Sequence, residues 1–165
     1  MNVTPTDATL GAVVTEVDLA NLTDDLWEVI HANFLEYGLL IFPGQHLTED
    51  AQGQFALRFG KTEKLHPKQP GPSVQLSNQK PNGEMVHRED EGFRLMRGNE
   101  GWHTDSTYMP LAAKAGMLAA LVVPPENGET EFADMRAAWD ELDDEMQKKL
   151  EGLSAYHSLY YSQSR

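Results

Sequence analysis

Between Gly11 and Leu19, the apolar residues Ala12, Val14, Val17 and Leu19 alternate loosely with polar neighbours, which is the two-residue period of an early strand. The period then lengthens. Leu26, Val29, Ile30, Phe34 and Tyr37 fall at helical spacing in a segment that Thr23 can cap and Gly38 can end. Leu39-Leu40-Ile41-Phe42 is a short apolar run closed by Pro43-Gly44, and it predicts a buried strand. Thr48 caps a second predicted helix over 49–58, which stops at Gly60.

Beyond His66 the pattern weakens. Residues 66–101 are rich in Pro, Gly, Asn, Gln and charge, with one short predicted strand at 74–77. So long an irregular stretch is either a lid or binding loop or, over 80–97, plain disorder. Asn99 and Gly101 have turn character, and the residues from Trp102 to Tyr108 read as a strand that Pro110 stops. A buried strand is expected over 115–123, then a turn at Asn127-Gly128 and a partner strand over 130–133. Two helices follow over 134–142 and 143–153, the second with Met146, Leu150 and Leu153 along one stripe. Strands in the centre with helices at both ends make the expected class α+β.

At 165 residues the chain is long enough for a single domain with a real core, expected over 1–165. Thirteen basic against twenty-six acidic residues give a formal charge of −13, which opposes binding to nucleic acid or to an anionic membrane and favours a small-molecule partner. No cysteine is present, so thiolate metal sites and disulfides are excluded. The first ten residues carry neither a basic region nor an apolar run, and no later stretch reaches membrane-spanning length. The expected location is therefore cytoplasmic.

Without cysteine, any metal must be held by His and carboxylates, and the spacing His103-Thr104-Asp105 stands out. Side chains two apart on a strand share one face, roughly 7 Å apart along the backbone, so both can reach one ion. An imidazole, a carboxylate and one further His make the facial triad of non-haem Fe(II) oxygenases. By spacing alone the pair is weak evidence for a metal and reads more often as polar residues on a solvated strand face.

The surrounding blocks resemble a known family. Trp102-His103-Thr104-Asp105, Pro124 to Thr130, and Phe132-Ala133-Asp134-Met135-Arg136-Ala137-Ala138-Trp139 are similar to the TauD/TfdA family of Fe(II)- and 2-oxoglutarate-dependent dioxygenases. Leu10-Gly11-Ala12 leading to Val17-Asp18-Leu19, then Leu40 to Gln45, then Phe55 to Gly60 resemble its opening blocks in the same order. The segment 151–158 leans toward the aryloxyalkanoate branch.

The resemblance implies a double-stranded β-helix, or jelly roll, with flanking helices and a metal in its mouth. His103 and Asp105 match the first two iron ligands, Thr130 the threonine that contacts the 2-oxoglutarate carboxylate, and His66 and Asn99 positions that line the substrate pocket. The implied reaction hydroxylates a small anionic substrate, aryloxyalkanoate-like or sulfonate-like, using molecular oxygen and releasing succinate and carbon dioxide. An anionic substrate calls for a nearby cation, for which Lys68, Lys80 and Arg97 are candidates. The family's second iron-binding His and its 2-oxoglutarate-binding Arg match nothing here, since His157 aligns outside the triad and Arg165 belongs to a different block. The expectation is accordingly the N-terminal portion of such a domain, or one completed by assembly into a homo-oligomer, because half a jelly roll leaves strand edges unpaired. Two alternatives stay open, namely a non-catalytic jelly-roll binding or assembly module and a zinc-dependent hydrolase.

Overall fold

The computed structural model describes residues 1–64, 71 and 73–158. They form two compact units, one made of Met1–Arg58 and Leu118–Leu153, the other of Phe59–Met117 and the segment from Ser154. The class is α+β, as the hydropathy pattern predicts.

In the first unit a three-stranded sheet runs in the order β1 (Asn2–Pro5), β2 (Ala12–Thr15), β3 (Leu40–Ile41). β1 lies antiparallel to β2 with Asn2 opposite Thr15 and Pro5 opposite Ala12. β3 lies parallel to β2 with Ala12 opposite Leu40. A parallel pair needs a crossover, and helix α1 (Asp24–Tyr37) supplies it. Thr23 caps α1 by accepting the Leu26 N–H, and Gly38 ends it in the left-handed conformation, with its N–H donated to the Phe34 carbonyl. Only glycine suits that end on two counts. Its φ is +70°, and a Cβ would stand 2.8 Å from Leu10 Cδ1 and 3.2 Å from Arg136 Nη2.

The core follows from these elements. Ala12 and Val14, two residues apart on one face of β2, are buried, and with Trp27 and Ile30 of α1, Leu19 and Phe55 they make up the buried apolar set among the described residues. Phe55 lies on α2 (Glu49–Leu57), capped by Thr48, and its ring stands edge-on to Trp27 at 6.2 Å and to Phe42 at 6.0 Å. The Gln45 amide ties the loop after β3 to the chain before α1: its oxygen accepts the Leu19 N–H and its nitrogen donates to the Val17 carbonyl, both at 3.0 Å. Two short helices close the unit, α4 (Met135–Asp140) capped by Asp134 and α5 (Asp144–Leu150) capped by Asp143. From α4 the Arg136 guanidinium reaches the Leu35 and Glu36 carbonyls in the last turn of α1.

The second unit contains α3 (Glu91–Gly98), where neither a strand nor a helix was expected. Gly92 and Gly98 hide it in the sequence, while Phe93 and Met96, three apart, are its half-buried face. Ahead of it a turn at Asn82-Gly83 brings Gln79 opposite Met85. Lys80 pairs with Asp90 at 2.8 Å.

Four expected strands are corrected. Residues 74–77, 102–108, 115–123 and 130–133 form no strands, because a strand exists only when its backbone groups find a partner ladder, and none of these segments finds one among the described residues. Nor is 115–123 buried, since Leu118, Leu121, Val122 and Val123 are all exposed. β3 is likewise only partly buried. The Asn127-Gly128 turn does form, with both residues at positive φ as a tight hairpin turn requires. Among the described residues no helix is long and apolar enough to cross a membrane.

Candidate functional site

His103 and Asp105 lie in the second unit, in an irregular segment between the end of α3 and a turn that begins at Asp105. Although the segment is not a strand, the two-residue spacing brings their side chains together. His103 Nε2 is 3.2 Å from Asp105 Oδ1, and both side chains are solvent-accessible.

The other ring nitrogen determines what that contact means. His103 Nδ1 is 2.7 Å from the Gly101 carbonyl oxygen. A carbonyl only accepts, so Nδ1 carries the proton, and in the neutral ring Nε2 presents its lone pair to a carboxylate oxygen. Two acceptors facing each other need a positive charge between them, either a proton on the ring or a cation. Two ligand atoms each about 2.1 Å from one cation and at right angles to it lie about 3.0 Å apart, close to the observed separation. A metal-binding imidazole ordinarily donates its remote N–H to a carbonyl or carboxylate in this way. The pair therefore fits two ligands of a divalent metal. No group of three or more His, Asp or Glu gathers among the described residues.

The turn after Asp105 is anchored from a distance. Ser106 has a φ of +61°, is 4% exposed, and is the only buried polar residue among the described residues. A serine in the left-handed region costs about 1–2 kcal/mol and persists only where surroundings hold it. Here the Ser106 hydroxyl donates to Glu63 Oε2, and the Ser106 carbonyl accepts the Met109 N–H at 3.0 Å. Glu63 Oε1 is buried with no hydrogen-bond partner among the described residues. Nearby, a His157 ring nitrogen is 2.8 Å from Thr107 Oγ1, which binds His157 to this turn as a structural contact. Glu63 and Ser106 escaped the sequence reading, since 43 residues separate them and a serine in a β-prone run carries no signal of burial.

The remaining candidates are placed as follows. Asn99 caps the C-terminus of α3, its N–H bonded to the Met96 carbonyl at 3.0 Å. Thr130 belongs to the first unit and is exposed in the extended chain after the Asn127-Gly128 turn. His66 and Lys68 lie outside the described residues. Lys80 is committed to Asp90, whose hydrogen bond raises the lysine above its ordinary pKa of 10.5. The same bond, with that from the His87 N–H, holds Asp90 below 3.8. Arg97 pairs with Glu100 at 3.3 Å, one exposed helical spacing away.

The family model described as "Taurine catabolism dioxygenase TauD, TfdA family" matches residues 2–165. The (S)-phenoxypropionate/alpha-ketoglutarate-dioxygenase of Sphingobium herbicidovorans is 47% identical over 99% of this chain and 55% of its own length. The enzyme of the same description from Delftia acidovorans is 46% identical over the whole of this chain and 57% of its own. The chain thus spans about half the length of these curated relatives. Among solved structures, that of AAD-2 in complex with Mn(II) and N-oxalylglycine matches with a TM-score of 0.86 and 32% identity, over 99% of this chain and 58% of that one.

Proposed function

The chain belongs to the TauD/TfdA family, and on that premise we propose that His103 and Asp105 are two ligands of the Fe(II) centre of a 2-oxoglutarate-dependent dioxygenase. The observation that carries the reading is the facing of His103 Nε2 and Asp105 Oδ1 at 3.2 Å, with Nδ1 turned to the Gly101 carbonyl. The proposed setting is a single domain over 1–165 of jelly-roll type.

Each residue has a defined task. The Gly101 carbonyl holds the His103 ring in the tautomer that leaves Nε2 free to bind a metal. Asp105 adds a negative charge, which offsets part of the charge of the divalent ion. Thr130 is proposed to donate its hydroxyl to the 2-oxoglutarate carboxylate. Asn99 and His66 are proposed to line the substrate pocket. Bound Fe(II) and 2-oxoglutarate supply the oxidising chemistry, in which molecular oxygen hydroxylates a substrate carbon while 2-oxoglutarate becomes succinate and carbon dioxide.

The substrate proposed is a small organic anion of the aryloxyalkanoate or sulfonate type. Both relatives described above are phenoxypropionate dioxygenases by description, which supports the aryloxyalkanoate side. N-oxalylglycine, a 2-oxoglutarate analogue, accompanies Mn(II) in the AAD-2 structure, which supports the cofactor pair. The test is to supply the protein with Fe(II), 2-oxoglutarate and (S)-2-phenoxypropionate, or separately an alkyl sulfonate, and to measure succinate. Oxygen-dependent succinate matched by substrate loss is the expected result. Turnover without oxygen, or with Zn(II) alone, would sink the dioxygenase reading in favour of hydrolysis. Folded protein that forms no succinate with either substrate would leave the non-catalytic module.

A further inference from the structure

The Glu63–Ser106 contact has a burden that packing does not account for. A carboxylate oxygen shielded from solvent is normally hydrogen-bonded, yet on the half-buried Glu63 only Oε2 is bonded among the described residues, and the atom Oε1 is buried without a partner. Its one bond holds a serine whose left-handed backbone is itself unfavourable. Two unfavourable features joined by one hydrogen bond, directly after Asp105, mark a place where local stability is given up for a fixed geometry.

We propose that Glu63, acting through Ser106, is a positioning residue for Asp105. The left-handed turn at Ser106 sets the direction in which the chain leaves Asp105, and so the direction of its carboxylate. Glu63 pins that turn from 43 residues away. The Met109 N–H bonded to the Ser106 carbonyl closes the turn on its far side. With the turn held, Asp105 Oδ1 faces His103 Nε2 before any ion arrives. Without it, the turn relaxes toward ordinary backbone and the carboxylate loses that aim. The proposal rests on the reading of His103 and Asp105 as metal ligands.

Mn(II) affinity in the presence of 2-oxoglutarate, measured by the loss of the free-ion electron paramagnetic resonance signal, tests both levels separately. Outer residues that orient metal ligands typically change metal affinity about 10–100-fold when removed. Glu63→Ala and Ser106→Ala are expected to weaken Mn(II) binding at least about tenfold. Glu63→Gln keeps an oxygen that accepts the Ser106 hydroxyl and is expected to recover most of that loss, whereas Ser106→Gly, which adopts positive φ without strain but cannot bond Glu63, is expected to recover part of it. A purely structural contact predicts instead that affinity follows thermal stability across the four variants, with no recovery specific to these two. Unchanged Mn(II) affinity in folded Glu63→Ala overturns the proposal. Should that variant not fold, equal affinities of Ser106→Ala and Ser106→Gly overturn it. His103→Ala is the control for the underlying reading: if it binds Mn(II) as the parent does, the metal site itself is wrong.

Discussion

Arg136→Met removes a side chain that joins elements a hundred residues apart. Arg136 Nη1 donates to the Leu35 and Glu36 carbonyls at 3.3 and 3.2 Å, and Nη2 donates to Glu36 at 3.3 Å. These carbonyls lie in the last turn of α1, where no intrahelical donor remains for them. A hydrogen bond to a charged group contributes about 1.5–3 kcal/mol when sheltered. Here the bonds are long and the guanidinium is about half exposed, and water can replace it on the freed carbonyls, so the bonds together contribute about 1 kcal/mol. A cation at a helix C-terminus adds about 0.3–1 kcal/mol. The expected loss is about 1–2 kcal/mol, or a fall in Tm of about 2–8 °C for a chain of this length. Urea unfolding monitored by tryptophan fluorescence and circular dichroism measures it. Arg136→Lys keeps the charge but loses the fork, so it should recover less than half of the loss, and 0.5 M salt should shrink what it recovers. A change below about 0.5 kcal/mol for Arg136→Met, or a fully stable Arg136→Lys, would refute the reasoning.

Gly38→Ala places a Cβ on a left-handed residue 2.8 Å from Leu10 Cδ1, and unfolding should show a loss of about 1–2 kcal/mol, or more if Leu10 cannot move; a neutral effect would count against the αL end of α1. His103→Ala and Asp105→Ala should each abolish Fe(II)-dependent succinate formation while leaving the circular dichroism spectrum intact, and retained activity in either would rule out the proposed ligands. Asp90 should titrate below 3.8 by carboxyl nuclear magnetic resonance, and Lys80→Met should bring it back up toward that value. Because folding lowers the Asp90 pKa, its stabilising contribution is present above 3.8 and lost as pH falls through the lowered value. Lys80 is raised, so its contribution is complete below 10.5 and lost as pH climbs through the raised value. An Asp90 titration unmoved by Lys80→Met would show that the pair does not persist in solution.

Much of the first unit was legible because its signals are local. Thr23, Gly38 and Thr48 mark helix ends by chemistry acting within a few residues, and all three caps form as the spacing predicts. Both C-terminal helices form too, though shorter than the pattern predicts, with Asp134 and Asp143 standing just outside them as N-caps. The proximity of His103 and Asp105 was legible too, since two residues of extended chain suffice whether or not a ladder forms. α3 was not legible, because its two glycines and charged residues dilute a pattern only eight residues long.

By itself, then, the sequence determined the capped ends of α1 and the start of α2, the Asn127-Gly128 turn, the absence of thiolate chemistry and the pairing of an imidazole with a carboxylate. Each depends on side chains and backbone within a turn or two of one another. The tertiary structure alone decided which extended segments became strands, since a ladder needs a second chain segment that no local pattern names. It alone brought Arg136 to the end of α1, Gln45 to Leu19 and Glu63 to Ser106. Those contacts close long loops, and which remote groups meet across such a loop depends on the packing of everything between them.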